Sequence, residues 1–471
     1  MVWFRGKDLR VADHGPLVEA ATSGDVIPLF VLDPFFFAPE RARELAHRMQ
    51  FLLASLRELE ANLTRLGSRL LVVLGRSVEV VPRLAALWKA DRVLAHRWVE
   101  PFGRERDRRV GEALDREGIA FRLFEGETLL PPGSVRNGQG GMFRVFTPFG
   151  RACGMRLDLE PALAAPRALS PLPEDLAIET VSIPTMEDLG LSLNPQLQQG
   201  GEKAARARLK SFVGGPLADY GTDRDRMDRP GTSRLSADLK FGTLSVRTVW
   251  QAVATAASGE SGRRYLNELL WREFSHHLLG EWPELLEQPF RAEFQGFPWR
   301  EDDASWLAWT EGHTGYPVVD AAARQLKAEG FVHNRARMVT ASFLTKHLLL
   351  DYRQGESHYM HWLTDGDWAQ NSSGWQWSAG CGCDAQPWFR IFNPVAQGLK
   401  FDPDGAYVKR WVPELATCPV AFIQEPWKAP QVLRARLDYP EPIVDHVLAR
   451  QRFLATAKGH LGRGRPDRVE E

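Results

Sequence analysis

Thirteen residues, Asp365 to Trp377 (DGDWAQNSSGWQW), hold two carboxylates, side-chain amides and three tryptophans. Core building alone does not require this mixture, because a buried indole N–H wants a partner and Asp is rarely buried unpaired. Together they predict a wall of rings around something polar and aromatic, such as a flavin or a nucleobase. The plainer reading is a polar surface loop anchored by tryptophans. Glu268, Trp271, Arg272 and Ser275 fall on one face at helical spacing. A carboxylate beside an indole suits a hydrogen bond to a base; the same face also suits an internal ion pair. Asn334, Arg337, Met338 and Ala341 repeat the spacing, offering polar groups and a soft thioether to a base edge or flavin ring, or else a capping Asn followed by surface charge. Arg335 lies off that face, within reach of a phosphate. Gly231-Thr-Ser-Arg-Leu-Ser236 offers consecutive backbone N–H groups and hydroxyls ahead of a helix-like run, which suits a pyrophosphate as well as an ordinary loop.

The elements that must position these groups fall into two regimes. Short apolar runs at Val2–Phe4, Val26–Leu32, Arg69–Leu74, Arg92–Ala95 and Ala120–Phe124 alternate with amphipathic stretches at His14–Thr22, Arg41–Leu66, Ser77–Lys89 and Gly103–Glu117. That alternation predicts an α/β domain with a parallel, Rossmann-like sheet and right-handed crossovers, over residues 1–125. No GxGxxG follows the first strand and no GxxxxGK[ST] occurs, which argues against an ordinary dinucleotide or nucleoside triphosphate. Residues 126–200 lose periodicity and read as an interdomain connector. Residues 201–471 read as a larger all-helical domain, with helices predicted at Arg263–Leu279, Asp320–Glu329 and His333–Asp351.

A net charge of -1 argues against wholesale coating of nucleic acid but permits a local basic groove. Four cysteines (Cys153, Cys381, Cys383, Cys418) are too few and too unevenly spaced for a disulfide framework or a thiolate zinc site, so a reduced, cytoplasmic setting is expected. His276, His277, His347 and His361 form no HExxH-like spacing, and no metal is expected. No run approaches a membrane-spanning length and no signal-peptide pattern opens the chain.

The chain resembles the cryptochrome/photolyase family, most closely the class I cyclobutane pyrimidine dimer photolyases. The motifs, in the family's order, are VWFRGKDLRVAD (2–13), VFTPFGR (145–151), GTSRLSADLKFG (231–242), LNELLWREF (266–274), TGYPVVDAAARQL (314–326), HNRARMVTASFLTK (333–346), DGDWAQNSSGWQWSAG (365–380) and WFRIFNP (388–394). The resemblance implies FAD folded within the helical domain. Its phosphates would lie on Tyr220, Thr232, Ser233, Leu235 and Ser236 with Arg272 nearby, and its ring on Asn334, Arg337, Asp365, Asp367 and Asn371, Arg337 and Asp365 forming an ion pair. It further implies that UV-damaged DNA is the partner, with the flipped dimer held by Glu268, Trp271, Asn334, Met338 and Trp377, and phosphates by Arg226, Arg335 and Gln397. A monomer is expected. Asn371, facing the flavin N5 in repair enzymes of this class, favours an enzyme. Asn334 stands where enzymes acting on (6-4) photoproducts place a second His.

The departures matter as much. The family passes electrons to its flavin through three tryptophans; here Trp375 and Trp299 match the first and last, but the middle is Tyr352, with Trp309 at a possible branch. A tyrosine must shed its phenolic proton on oxidation, so slower or rerouted photoreduction is expected. Ser372 and Ser373 replace the usual Asn-Gly, and Cys381 and Cys383 replace hydroxyl residues. EPFGRERD (100–107) and Lys240 resemble members that bind a deazaflavin antenna, yet Trp98 stands in place of an acidic ligand, leaving deazaflavin, folate, a second flavin or an empty pocket open. The alternative function is a cryptochrome-like blue-light receptor. The short charged run from Gly462 to Glu471 speaks against that, since receptors of this family usually carry an extended tail.

Overall fold

The computed structural model describes residues 1–462 except 174, 175, 177–179 and 258; the charged run after Gly462 lies outside the described residues. The strands are β1 (Val2–Phe4), β2 (Pro28–Leu32), β3 (Leu71–Leu74), β4 (Arg92–His96) and β5 (Ala120–Phe124). They form one parallel sheet of order β3-β2-β1-β4-β5. Each predicted apolar run supplies one strand: β1 and β5 keep the predicted bounds, β2 and β3 each start two residues later, and β4 extends to His96. Period-two alternation splits the side chains between two layers. Phe4, Phe30 and Leu32 pack with the Ala46–Arg65 helix, and Trp3, Leu29 and Val31 with Ser77–Leu87 and Pro101–Arg116. The predicted helix Arg41–Leu66 is two: Pro39–Glu44 ends at Leu45 (φ -119°, ψ 22°) before Ala46–Arg65 begins.

The chain divides into two compact units. One comprises 1–221, 232–283 and 364–366; the other 222–231, 284–363 and 367–471. The first contains the sheet and the long Glu260–Glu281 helix. The second is helical about a core that includes Trp309, Tyr316, Phe343, Tyr359 and Trp375.

Two expectations in the second unit change. The single helix predicted over His333–Asp351 is an α-helix, Asn334–Ser342, that widens into a π-helical segment, Phe343–Leu348, and stops at Leu349 with φ +60°. Wide turns of this kind keep apolar residues inward while resetting the phase, which periodicity cannot register. Asp351 therefore does not end that helix; it caps the next, Tyr352–Trp362, its carboxylate accepting the Arg353 N–H at 3.0 Å. The Asp365–Trp377 stretch is not a loop either. Asp367 caps a helix, Trp368–Ala379, which Gly380 ends in the left-handed region at φ +91°.

Candidate functional site

In the first unit, Glu260–Glu281 carries the Glu268–Ser275 face as predicted. Trp271 stacks on Phe146, ring centroids 3.7 Å apart and planes 10° apart, and meets Phe274 edge-on. Phe146 opens the Phe146–Arg156 helix, so the VFTPFGR segment fixes the indole plane. Ser275 Oγ bonds back to the Trp271 carbonyl at 3.1 Å, a role inside the helix. Arg272 is buried; Nη1 donates to the Glu127 carbonyl at 2.6 Å, while Nε has no hydrogen-bond partner. An orphaned buried guanidinium N–H is costly unless a ligand or water accepts from it, and an anion fits.

Tyr220 is buried against Tyr265 and Phe212. The Tyr265 hydroxyl donates to Ser233 Oγ at 2.9 Å, and the Leu235 N–H approaches the same oxygen at 3.4 Å. Arg234, at φ +55°, turns the loop through the left-handed region before the Ser236–Phe241 helix. Thr232, Ser233 and Ser236 are thus brought together, half-buried, as hydroxyl and N–H donors on one short loop, a set suited to phosphate oxygens. Asp365 is buried in this unit.

In the second unit, His333 caps the Asn334–Ser342 helix through Nδ1, which accepts the Arg335 N–H at 3.1 Å. Asn334 is exposed, and its amide nitrogen lies 3.7 Å from Met338 Sδ. Their predicted shared face is real, with Ala341 buried along it. Arg337 donates through Nε to the Val332 carbonyl at 2.8 Å. Asp367, buried, accepts the Gln370 N–H at 3.0 Å. Asn371 Nδ2 donates to the Glu356 carbonyl at 3.0 Å, which leaves the amide oxygen as an acceptor. Trp375 follows four residues later on the same helical face; Trp377, half-buried, lies on another. Ser372 ties this helix down, its hydroxyl donating to the Leu285 carbonyl at 2.9 Å beside Gln376 Nε2 at 2.8 Å. Cys381 is buried, and burial pushes its thiol up, away from reactivity.

The oxidisable rings form a branched set. Trp375 contacts Tyr359 at 5.2 Å and Trp309 at 6.1 Å, and Trp309 stacks on Trp306 at 5.6 Å. Trp299 meets Tyr352 edge-on at 6.4 Å. Gly355 admits the Trp375 ring to the backbone of the Tyr352–Trp362 helix, where a Cβ would overlap it. Trp306, Tyr359 and Glu356 were missed in the sequence; for Trp306, its place three residues before Trp309 was the available signal.

The phosphate-type residues are not idle. Arg226 forks onto Asp228 at 2.8 and 2.5 Å, and that hydrogen bonding raises its pKa. Arg335 pairs with Asp225 at 3.0 Å and lies 4.3 Å over the Phe401 ring. Gln397 keeps a buried Oε1 without a partner.

A sheet of this order binds ligands beyond the carboxyl ends of the strands at the β1/β4 switch point. Here Trp98, just after β4, is buried beneath Arg106, Lys7 and Arg5 at 4.3, 5.3 and 5.5 Å from its ring. A Cβ at Gly103 would come within 2.6 Å of Trp98 Cβ. The indole fills that place. Asp8, His14 and His96 are buried nearby with ligand atoms within 4.8 Å. His14 Nδ1 accepts the Leu17 N–H at 3.0 Å, so the neutral ring carries its proton on Nε2, toward Asp8, and keeps no lone pair there for a metal. Among the described residues no helix is long and apolar enough to cross a membrane.

Residues 1–168 match the sequence family described as DNA photolyase, and 265–459 the FAD binding domain of DNA photolyase. The deoxyribodipyrimidine photo-lyase of Thermus thermophilus is 42% identical over 465 residues, covering 98% of this chain and 99% of that one. Among solved structures, a bacterial class III photolyase from Agrobacterium tumefaciens superposes with TM-score 0.91 at 37% identity over 98% and 97% of the two chains. A Synechocystis cryptochrome does so with TM-score 0.87 at 31% identity over 96% and 98%.

Proposed function

The chain belongs to the DNA photolyase family, and from that premise we propose that it is a light-driven deoxyribodipyrimidine photo-lyase that splits cyclobutane pyrimidine dimers in DNA. What carries the reading is the likeness to a photo-lyase over nearly the whole of both chains.

FAD, when bound, supplies on photoexcitation the electron that opens the cyclobutane ring and takes it back afterwards. The residues fit that cofactor. Thr232, Ser233, Leu235 and Ser236, with Tyr220, form the donor-rich loop for its phosphates, and the orphaned Arg272 Nε supplies charge. Asn334, Arg337, Asp365, Asp367 and Asn371 are assigned to the ring. Trp271, its plane set by Phe146, and Trp377 wall the extruded bases, each stack contributing about 1–3 kcal/mol. Flipping costs a few kcal/mol and least for a damaged pair, so the lesion selects itself without sequence readout. Glu268 hydrogen-bonds the dimer where charge develops, beside Asn334 and Met338. Arg226, Arg335 and Gln397 hold phosphates, exchanging their Asp228 and Asp225 partners for the DNA backbone. The protein acts as a cytoplasmic monomer.

The second reading, a blue-light receptor with little repair, is supported by the Synechocystis cryptochrome likeness and by Tyr352. Binding in the dark separates the two. A photo-lyase prefers an oligonucleotide carrying one thymine dimer over its undamaged twin by at least a hundredfold; equal affinity for both favours the receptor.

A further inference from the structure

We propose that the DNA strand docks a second time on this chain, away from the lesion, in a cleft where Trp282 stacks a flanking base and Arg144 holds its phosphate. The inference rests on the photo-lyase reading above and concerns the first unit alone.

Charge and rings carry it. In a chain of net charge -1, residues 128–157 hold four arginines (Arg136, Arg144, Arg151 and Arg156) and no Asp, Glu or Lys. Phe143, Phe146 and Phe149 lie among them. Basic groups interleaved with aromatic rings suit a single strand, because cations track its backbone and rings stack bases of any sequence. This segment meets the carboxyl end of the Glu260–Glu281 helix at a cleft of about 540 Å³, bordered by Phe143, Arg144, Pro148 and Trp282. Trp282 is half-buried, and the Arg144 guanidinium lies 5.9 Å from its ring centroid, so a ring and a cation border the same space.

Two of the arginines are committed elsewhere. Arg136 forks onto Glu281 at 2.8 and 2.7 Å, neutralising the one carboxylate among the described residues of the cleft. Arg156 donates to the Ser134 carbonyl at 2.8 Å. Arg144 and Arg151 are exposed, the latter one turn after Pro148 on the Phe146–Arg156 helix, and they present the positive charge. The rim is preformed: Asn137 Oδ1 accepts the Gln139 and Gly141 N–H groups at 2.9 and 3.0 Å, and Arg136 pairs with Met142 across the turn. Little ordering is then left for binding to oppose.

The cleft continues the lesion wall. Trp282 follows Trp271 by eleven residues, three helical turns, and so falls on the same side of the helix about 16 Å further along. Phe146, stacked on Trp271, is two residues from Arg144, so one short segment serves both places. At the 3.4 Å spacing of a duplex strand that distance is about five nucleotides, and fewer where the strand is stretched.

The test uses the full flavin-loaded chain in the dark. Single-stranded oligonucleotides with one thymine dimer carry one to eight nucleotides on either its 5′ or its 3′ side, and affinity is read by fluorescence anisotropy. Wild-type affinity should rise at least fivefold once one of the two flanks reaches about five nucleotides. In Trp282→Ala the rise should fall below twofold, whereas Trp282→Phe should keep most of it. Arg144→Ala should halve the rise or more and flatten the slope of log affinity against log salt for the long oligonucleotide by about 0.7, one single-strand phosphate. Each protein's shortest oligonucleotide, which does not reach the cleft, is its reference. A wild-type affinity independent of flank length, or a rise that Trp282→Ala and Arg144→Ala both keep, overturns the second docking place. No preference for the dimer over its undamaged twin at any length overturns the photo-lyase reading, and this inference with it.

Discussion

Glu356 sits on the Tyr352–Trp362 helix behind Asn371, buried, with Oε1 lacking a hydrogen-bond partner. Burial pushes its carboxyl up to about 8. The folded chain therefore keeps a proton that the unfolded chain, titrating at the ordinary 4.5, releases. Unfolding releases that proton at intermediate pH, so this group's contribution to stability is fully present below about 4.5 and is lost as pH rises through about 8. At about 1.4 kcal/mol per pH unit, the interval from 4.5 to 8 sets a ceiling of roughly 5 kcal/mol, of which roughly 2 is already lost at pH 6. Glu356→Gln keeps the shape and removes the titration. Its advantage over the wild type in unfolding free energy should widen by roughly 2–3 kcal/mol between pH 6 and pH 9. Urea denaturation at several pH values, followed by tryptophan fluorescence with flavin content recorded, measures that gap. A gap unchanged from pH 6 to pH 9 would refute the reasoning.

Other expectations follow from the same geometry. Glu268→Ala should lower the light-driven repair rate roughly tenfold, the loss of one charge-assisted hydrogen bond, while flavin absorbance stays constant. Arg335→Ala should weaken binding of a dimer-containing oligonucleotide and flatten the slope of log affinity against log salt by about 0.9, one phosphate contact, read by fluorescence anisotropy. Because Trp98 fills the β1/β4 crevice, the wild-type protein should bind no added free flavin there. Trp98→Ala should create a site whose occupancy is seen by quenching of flavin fluorescence.

The parallel sheet was legible because β1 to β4 are buried apolar runs separated by amphipathic stretches, a signal that survives trimmed edges. The chemistry of the Asp365–Trp377 stretch was legible as composition, but its form was not. Its helix has no apolar stripe, because indoles, amides and serines face several directions, and only Asp367 before it and Gly380 after it mark the ends. The π-helical segment at Phe343–Leu348 was hidden for a related reason: all six positions are buried, the polar Thr345, Lys346 and His347 included, so no polar face marks one winding from another. Motif order pointed to FAD and DNA, whereas ring contacts needed coordinates. Nothing in the spacing of Tyr352 and Trp375 shows that Trp375 rests on Gly355 and turns toward Trp309. Trp98 was visible as an odd residue, but the three cations around its ring come from Arg5, Lys7 and Arg106, on two separate segments of the chain.

The most direct test of the central claim is reversal of a thymine dimer in a short oligonucleotide by the flavin-loaded, reduced protein under blue light, with a dark control. The account predicts restored thymines in the light and none in the dark. A protein that binds FAD normally, is fully reduced and leaves the dimer intact under illumination would contradict it.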